Sequence, residues 1–228
     1  MKAQLSKNST AAFFDVDGTL WEGNVVRHYV DLIRRDSRSM AQQMTIAKIL
    51  FQVPYYLLVD RFSRSHFNRI FYRNYRQMSV ADCHHWSQQY FQEVGDDRLF
   101  PAARECVLKH QQQGHLVILV TGSPSFIISP MAEFLGVDGT IATDLEAIDG
   151  CYTGKIIGLP LAGEEKARSM RRLSEQLGID LDRSYAYGDS IADLPMLSAV
   201  GNPIAVNPSR TLRKVAQKKE WPIQQWKF

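Results

Sequence analysis

The sequence predicts an α/β protein, with a parallel sheet core whose first strand is followed by a long helical insert. Three observations lead there. An apolar run at residues 11 to 16 ends in an Asp-Gly turn, no comparable strand signal appears between residues 21 and 95, and after Phe100-Pro101 helices and short apolar strands alternate. Helix followed by a continuous apolar run is the rhythm of a parallel sheet covered on both faces. With 228 residues the chain is long enough for one sizeable core, or a core plus an insert.

In order, the first strand spans 11 to 16, and the insert shows apolar residues at helical spacing through Val26-Val30-Ile33 and Ile46-Leu50. Ser79-Val80-Ala81-Asp82 has the form of a helix start, opening a helix with Trp86 and Tyr90 four apart. Ala102 to Gln113 reads as a helix ended by Gly114, and Leu116 to Val120 as a buried strand. Phe126 to Leu135 is the next helix, followed by a strand at 140 to 143 and an Asp149-Gly150 hairpin turn leading to Tyr152. Glu164 to Leu177 is a helix closed by Gly178; strands at 184 to 187 and 203 to 206 flank a short helix from Ile191 to Ala199, and a basic helix runs from Arg210 to Lys219.

Composition is that of an ordinary soluble protein, 45% hydrophobic and 22% charged, with a net charge of +3. Cys83, Cys106 and Cys151 match no metal or redox spacing and read as reduced thiols, so a cytoplasmic setting is expected. The six histidines also lack metal-ligand spacing. Met1 to Lys7 has positive charge but no following apolar region, so no signal peptide is expected. The most apolar window, Ile46 to Val59, contains Lys48, Gln52 and Pro54 and is too short for a transmembrane helix. Between Arg27 and Arg76 lie ten Lys or Arg against three acids, a stretch that attracts anions or forms a solvated basic face. Basicity without a recognition motif gives no reason to expect nucleic-acid binding.

The chemistry lies at the C-terminal ends of the strands, where ligands bind in such sheets. Phe13-Phe14-Asp15-Val16-Asp17-Gly18-Thr19-Leu20 places two carboxylates one residue apart. Alternate strand residues point to opposite faces, so Asp15 and Asp17 converge only if the backbone leaves strand geometry, which Gly18 permits. One carboxylate could then attack phosphorus and the other move a proton, with a divalent cation offsetting their repulsion. The same dipeptide also reads as a simple capped turn. Thr121-Gly122-Ser123-Pro124 offers a hydroxyl and an amide to a phosphate oxygen. Lys166, behind Glu164 and Glu165, could neutralise developing charge, although the sequence alone does not prefer it to Arg168 or Lys155. Asp189 and Asp193 in Tyr187-Gly188-Asp189-Ser190-Ile191-Ala192-Asp193 could bring two acids toward one metal.

Taken in order, Asp15-Val16-Asp17-Gly18-Thr19, Thr121, Lys166 and Gly188-Asp189-x-x-x-Asp193 resemble the four motifs of the haloacid dehalogenase (HAD) superfamily. The insert is placed like the helical cap of the phosphoserine-phosphatase-like branch. The resemblance covers essentially the whole chain and implies a Rossmann-like core of residues 1–20 and 97–228 with a helical cap at 21–96. It implies a Mg²⁺-dependent phosphomonoesterase acting on a small organic phosphate. Asp15 would be the nucleophile that forms an aspartyl-phosphate, and Asp17 the general acid and then base. Thr121 and the Gly122 amide would bind phosphate, and Lys166 would stabilise Asp15 and the phosphoryl group. The Asp15 side chain, the Asp17 carbonyl and the Asp189 side chain would hold Mg²⁺, with Asp193 supporting it through waters.

A dehalogenase would not require Asp17, and a related ATP-driven pump would have threonine there. A phosphotransferase shares the same intermediate, and a non-catalytic anion- or membrane-surface-binding module is the non-enzyme alternative. Where phosphoserine phosphatases carry an acid for the substrate amine, this chain reads Trp21-Glu22-Gly23-Asn24, which argues against phosphoserine. For Ile46 to Val59 the expected arrangement is two cap helices packed on each other with Pro54 at their junction. An apolar cleft for a lipid-like substrate group, or peripheral membrane contact, are the other readings.

Overall fold

The computed structural model describes residues 9–36 and 40–228. The leader reading of residues 1 to 7, and Arg38 of the basic stretch, lie outside the described residues, as do the side chains of Arg35 and Arg61. The core is a six-stranded parallel sheet. Its strands are β1 (Ala11–Phe14), β2 (Leu116–Pro124), β3 (Gly139–Thr143), β6 (Tyr185–Gly188), β7 (Asn202–Val206) and β8 (Ile223–Gln224), and a β4 (Leu145–Ile148)–β5 (Cys151–Ile156) hairpin stands apart. The spatial order is β3-β2-β1-β6-β7-β8, with every neighbour parallel. Chain order therefore reverses between β1 and β6, the switch point at which doubly wound sheets open a crevice.

Period-two alternation explains why β1 is apolar throughout. Ala12 and Phe14 join Val117 and Leu119 in a layer with Ala103, Val107, Ile128 and Met131, whereas Ala11 and Phe13 join Ile118 and Val120 in a layer with Met170, Leu212 and Ala216. The first layer is supplied by α5 (Pro101–Gln112) and α6 (Ser125–Leu135). The second is supplied by α7 (Glu164–Leu177), α8 (Leu194–Leu197) and α9 (Arg210–Lys218). Gly136 and Gly178 end α6 and α7 in the left-handed conformation that glycine adopts without strain.

The insert contains α1 (Val25–Asp36), α2 (Met40–Phe62), α3 (Arg64–Phe71), a 3-10 turn (Tyr72–Tyr75) and α4 (Val80–Arg98). The Ser79 hydroxyl accepts from the Asp82 amide at 3.2 Å and starts α4, as the sequence pattern predicts. Chain entry and exit lie side by side, with Glu22 N donating to Arg98 O (2.8 Å) and Phe100 N to Leu20 O (3.0 Å). The β4–β5 hairpin hydrogen-bonds to the insert backbone, Tyr152 N donating to Met78 O and Gln77 N to Tyr152 O. Phe126, Leu145 and Tyr152 pack into the insert's own core with Tyr29, Phe71 and Tyr75.

Several sequence expectations differ from the structure. β2 continues through Thr121 to Pro124 with a register irregularity after Val120, because its end still pairs with Thr143. β8, too short and mixed to stand out, pairs with β7. The stretch from Ile191 is a 3-10 turn (Ile191–Asp193) followed by α8, since Pro195 is tolerated only in a first helical turn. The expected helix pair meeting at Pro54 is instead one helix, α2, which runs through the proline. The missing N–H and the ring's clash with the Leu50 carbonyl cost about 3 kcal/mol or more. Ile49 and Tyr56, both buried on one face, anchor α2 on either side of Pro54, and the Tyr56 hydroxyl bonds Gln52 at 2.9 Å. The packed face is narrow: Phe51 is 87% and Leu57 64% exposed.

Candidate active site

The switch point between β1 and β6 presents the acids that follow those strands. Asp15 N still donates to Tyr187 O at 2.9 Å, and then the backbone turns away: Leu20 N donates to Val16 O at 2.9 Å, and Gly18 has φ +89°. Val16 turns into the core while Asp15 and Asp17 both line one cavity of about 190 Å³. A side chain at residue 18 would be strained by that φ, and its Cβ would lie 2.6 Å from an Asp189 carboxylate oxygen. The turn glycine therefore also makes room for the second acid.

Lys166 is the hub. The first turn of α7 carries it beneath the cavity, where it is buried, with Nζ 2.5 Å from Asp15 Oδ1 and 2.6 Å from Asp193 Oδ1. The alternatives point elsewhere: Arg168 pairs with Glu165 (2.7 Å) and Lys155 with Glu146 (3.7 Å), both cations on the surface. Burial lowers the affinity of Lys166 for its proton, but the two carboxylates outweigh it and hold the ammonium charged well above its usual range. Asp193 is likewise opposed by burial, yet Lys166 and Ser190 hold it below the usual carboxylate value. For Asp15 burial wins, reinforced by Asp193, and raises its carboxyl to about 7 against the pull of Lys166. Burial, with the neighbouring Asp15 and Asp193, also raises Asp189 well above the ordinary value.

Asp15, Asp189 and Asp193 each offer an oxygen within 4.8 Å of the others, a donor set suited to a hard divalent cation. They are not equivalent. Asp193 Oδ1 receives Lys166, and its Oδ2 receives the Ser190 amide (3.1 Å) and hydroxyl (2.8 Å). Ser190 and Asp193 form a reciprocal capping box, and no hydrogen bond is formed by the Asp189 carboxylate among the described residues. A buried and a half-buried carboxylate side by side, without a donor on the second, fit a cation there.

On the opposite side Asp17 is held differently. Its Oδ2 accepts from Ser123 Oγ at 2.5 Å, while its buried Oδ1 has no hydrogen-bond partner and lies 3.9 Å from His28 Nδ1. Thr121 Oγ1 accepts from the Ser123 amide at 3.1 Å, which leaves the Thr121 hydroxyl proton available to a ligand. Gly122 is needed for close approach, because a Cβ there would lie 2.9 Å from Leu161 O and 3.0 Å from Asn68 Nδ2. All seven residues anticipated from the sequence, Asp15, Asp17, Thr121, Gly122, Lys166, Asp189 and Asp193, line this cavity.

Leu161, Ala162 and Ala192 of the core and several residues of the insert complete the wall, and none of these was anticipated as a site residue. Asn24, Arg64, Asn68 and Tyr72 line the cavity; Tyr72 Oη donates to Gly122 O (2.5 Å), and the buried Asn68 Nδ2 has no partner. Arg64 faces the cavity while pairing with Asp60 at 2.8 Å. Glu22 is exposed, 4.0 Å from Arg27, and does not line the cavity. Ser190 and Ser123 had a local signal, the Ser-x-x-Asp box and the Thr-Gly-Ser loop. The insert residues had none, because their register depends on how the helices fold back.

The profile of the haloacid dehalogenase-like hydrolases matches residues 12–198. The chain is 30% identical over 228 residues to phosphoserine phosphatase SerB1 of Mycobacterium tuberculosis, covering 96% of this chain and 72% of that protein. A crystal structure of a protein of unknown function from Bordetella pertussis Tohama I superposes with a TM-score of 0.83 at 30% identity, covering 95% of this chain and 98% of the other. A structure described as a phospho-aspartyl intermediate analogue of phosphoserine phosphatase has a TM-score of 0.69 at 20% identity and covers 97% and 95%, a likeness of fold. With its four motifs gathered around one cavity at the sheet's switch point, the chain belongs to the haloacid dehalogenase-like hydrolase family, in the phosphoserine-phosphatase-like branch.

Proposed function

We propose that this HAD-type phosphatase is a Mg²⁺-dependent phosphomonoesterase that hydrolyses a small organic phosphate through an aspartyl-phosphate on Asp15. The observation that carries this reading is the buried Asp15 carboxylate, clamped by Lys166 at 2.5 Å and sharing one small polar cavity with Asp17 and Thr121. Lys166 occupies Asp15 Oδ1, and Thr19 Oγ1 lies 3.2 Å from Oδ2. With both oxygens fixed, the carboxylate is held in one orientation for in-line attack.

Asp15 attacks phosphorus and the ester P–O bond breaks, leaving an alkoxide that takes a proton from Asp17. Asp17 then removes a proton from the water that attacks the acyl phosphate, releasing inorganic phosphate and restoring Asp15. The Ser123 hydroxyl donates to Asp17 Oδ2 and holds that carboxylate at the cavity wall for the proton transfer. The Thr121 hydroxyl and the Gly122 amide receive phosphate oxygens, and Lys166 balances charge at Asp15. The Asp15 and Asp189 side chains and the Asp17 carbonyl would hold Mg²⁺, with Asp193 orienting the site through Lys166 and Ser190. Bound there, the cation supplies neutralisation of the carboxylates and of phosphate charge.

The organic group faces Asn24, Arg64, Asn68 and Tyr72, and no carboxylate from the insert lines the cavity among the described residues. That wall offers no carboxylate to form an ion pair with a substrate ammonium, which supports a substrate other than phosphoserine. The test is Mg²⁺-dependent phosphate release across amino-acid, sugar, nucleotide, choline and lipid monophosphates, with Asp15→Asn alongside. Release by wild type and loss in the variant supports the reading; equal release by both contradicts it.

A further inference from the structure

We infer that the substrate's alcohol carries an aliphatic chain, housed in a second cavity between α1 and α2 that opens from the phosphate site; this rests on the phosphomonoesterase reading. The second cavity has a volume of about 650 Å³ and shares Asn24, Val25 and Arg64 with the first. That size lies in the range of pockets that bury an organic ligand. The two cavities meet at Asn24, Val25 and Arg64, and on this inference the ester group of a phosphate seated against Thr121 and Lys166 passes between them into the insert.

The chemistry of the second cavity is apolar. Val30 of α1, Leu50, Val53, Tyr56 and Leu57 of α2, and Phe67 of α3 form its walls. Its charged residues are already engaged: Asp31 with Arg98 at 3.3 Å, Asp60 with Arg64 at 2.8 Å, and Arg27 with Glu22 at 4.0 Å. Arg34 likewise has a partner. What remains for a ligand is aliphatic and aromatic surface, and Leu50 and Leu57, 50% and 64% exposed, are left uncovered by the protein itself. An alkyl chain tethered to a bound phosphate would cover them, and it meets no unpaired cation or carboxylate on the way. The single helix through Pro54 is what shapes this cavity, since it brings Leu50 and Leu57 onto one wall opposite Val30.

The experiment compares kcat/KM for ethyl and octyl phosphate, both monomeric in solution. A fully buried methylene is worth about fourfold, so the six added methylenes should raise kcat/KM by at least about tenfold even in an open groove. The octyl-to-ethyl ratio should fall several-fold in Leu50→Gln/Leu57→Gln. It should hold in Phe51→Gln, a position 87% exposed on the same helix but outside the cavity. Active enzyme with equal kcat/KM for the two esters, or a ratio unmoved by the double variant, overturns the inference and leaves the phosphatase reading standing. Calorimetric binding of octylphosphonate and ethylphosphonate to Asp15→Asn provides the converse check. Tighter octylphosphonate binding that is lost in the added double variant supports the chain site even if no ester is hydrolysed; equal binding of the two phosphonates overturns it.

Discussion

The two walls of the active cavity are built on opposite principles. The wall from the sheet edge is a network of charges, in which Lys166 ties Asp15 to Asp193, Ser190 caps Asp193, and Ser123 holds Asp17, with the Asp189 carboxylate left for a cation. The wall from the insert is loosely engaged: Asn68 has an unpartnered amide, Arg64 leans on Asp60, and beyond them the surface becomes apolar. A floor of four carboxylates around one lysine fits a bound cation and bond-breaking chemistry, and a roof with an unpartnered amide fits groups that wait for a ligand. On the function proposed above, bond-breaking falls to the core and selection to the insert.

Breaking the floor should have the largest effect. Asp15→Asn should lower phosphate release by roughly 10⁴-fold or more, as loss of a nucleophile does, measured as kcat/KM with the wild-type protein as reference. Lys166→Met should lower it by about 10²- to 10³-fold. It should also destabilise the fold by about 3 kcal/mol or more, because Asp193 is left buried without its cation; urea unfolding measures this. Lys166→Met/Asp193→Asn should recover part of that stability without recovering activity.

The metal-free floor should also show itself in the pH dependence of stability. Asp15, ordinarily near 3.8, is raised to about 7 in the fold, and Asp189 moves the same way. The folded protein therefore binds more protons than the unfolded chain in that window, and stability without metal should fall as pH rises from about 4 to about 7. Below it the depressed Asp193 works in the opposite sense. Mg²⁺ should flatten the decline at the upper end, by about 2.7 kcal/mol at a hundred times its Kd. Thermal unfolding with chelator and with Mg²⁺ checks both statements; a metal-free stability that rises across the window contradicts them.

Changes to the roof should be smaller and of another kind. Asn68→Leu should raise KM by about tenfold with little change in kcat, the signature of lost ground-state binding. Tyr72→Phe should cost least, about 1 kcal/mol of stability, because Gly122 O keeps its 2.8 Å bond from Thr143. Steady-state kinetics and unfolding curves distinguish the two.

The same contrast explains what could be read from the chain. The floor was legible because each of its residues follows a strand or opens a helix: Asp15 after β1, Thr121 late in β2, Asp189 after β6, Lys166 in the first turn of α7. Local apolar runs and turn residues locate those points without tertiary information. Lys166 could be selected over Arg168 and Lys155 only through the motif order, since burial beside Asp15 is a tertiary fact. The roof was not legible. Arg64, Asn68 and Tyr72 reach the cavity because α2 continues through Pro54 and the β4–β5 hairpin braces the turn after Tyr75, and both are long-range choices. Propensity at Pro54 pointed to a break, and the buried contacts of Ile49 and Tyr56 overrode it.

The central claim is covalent: Asp15 carries the phosphoryl group during turnover. Borohydride reduction of the acid-quenched reaction, followed by peptide mass spectrometry, converts an aspartyl-phosphate to homoserine at its own position. The account predicts homoserine at residue 15, dependent on both substrate and Mg²⁺. An unmodified Asp15 in enzyme quenched while the phosphoryl group is retained on protein, with reduction at another residue, would contradict it.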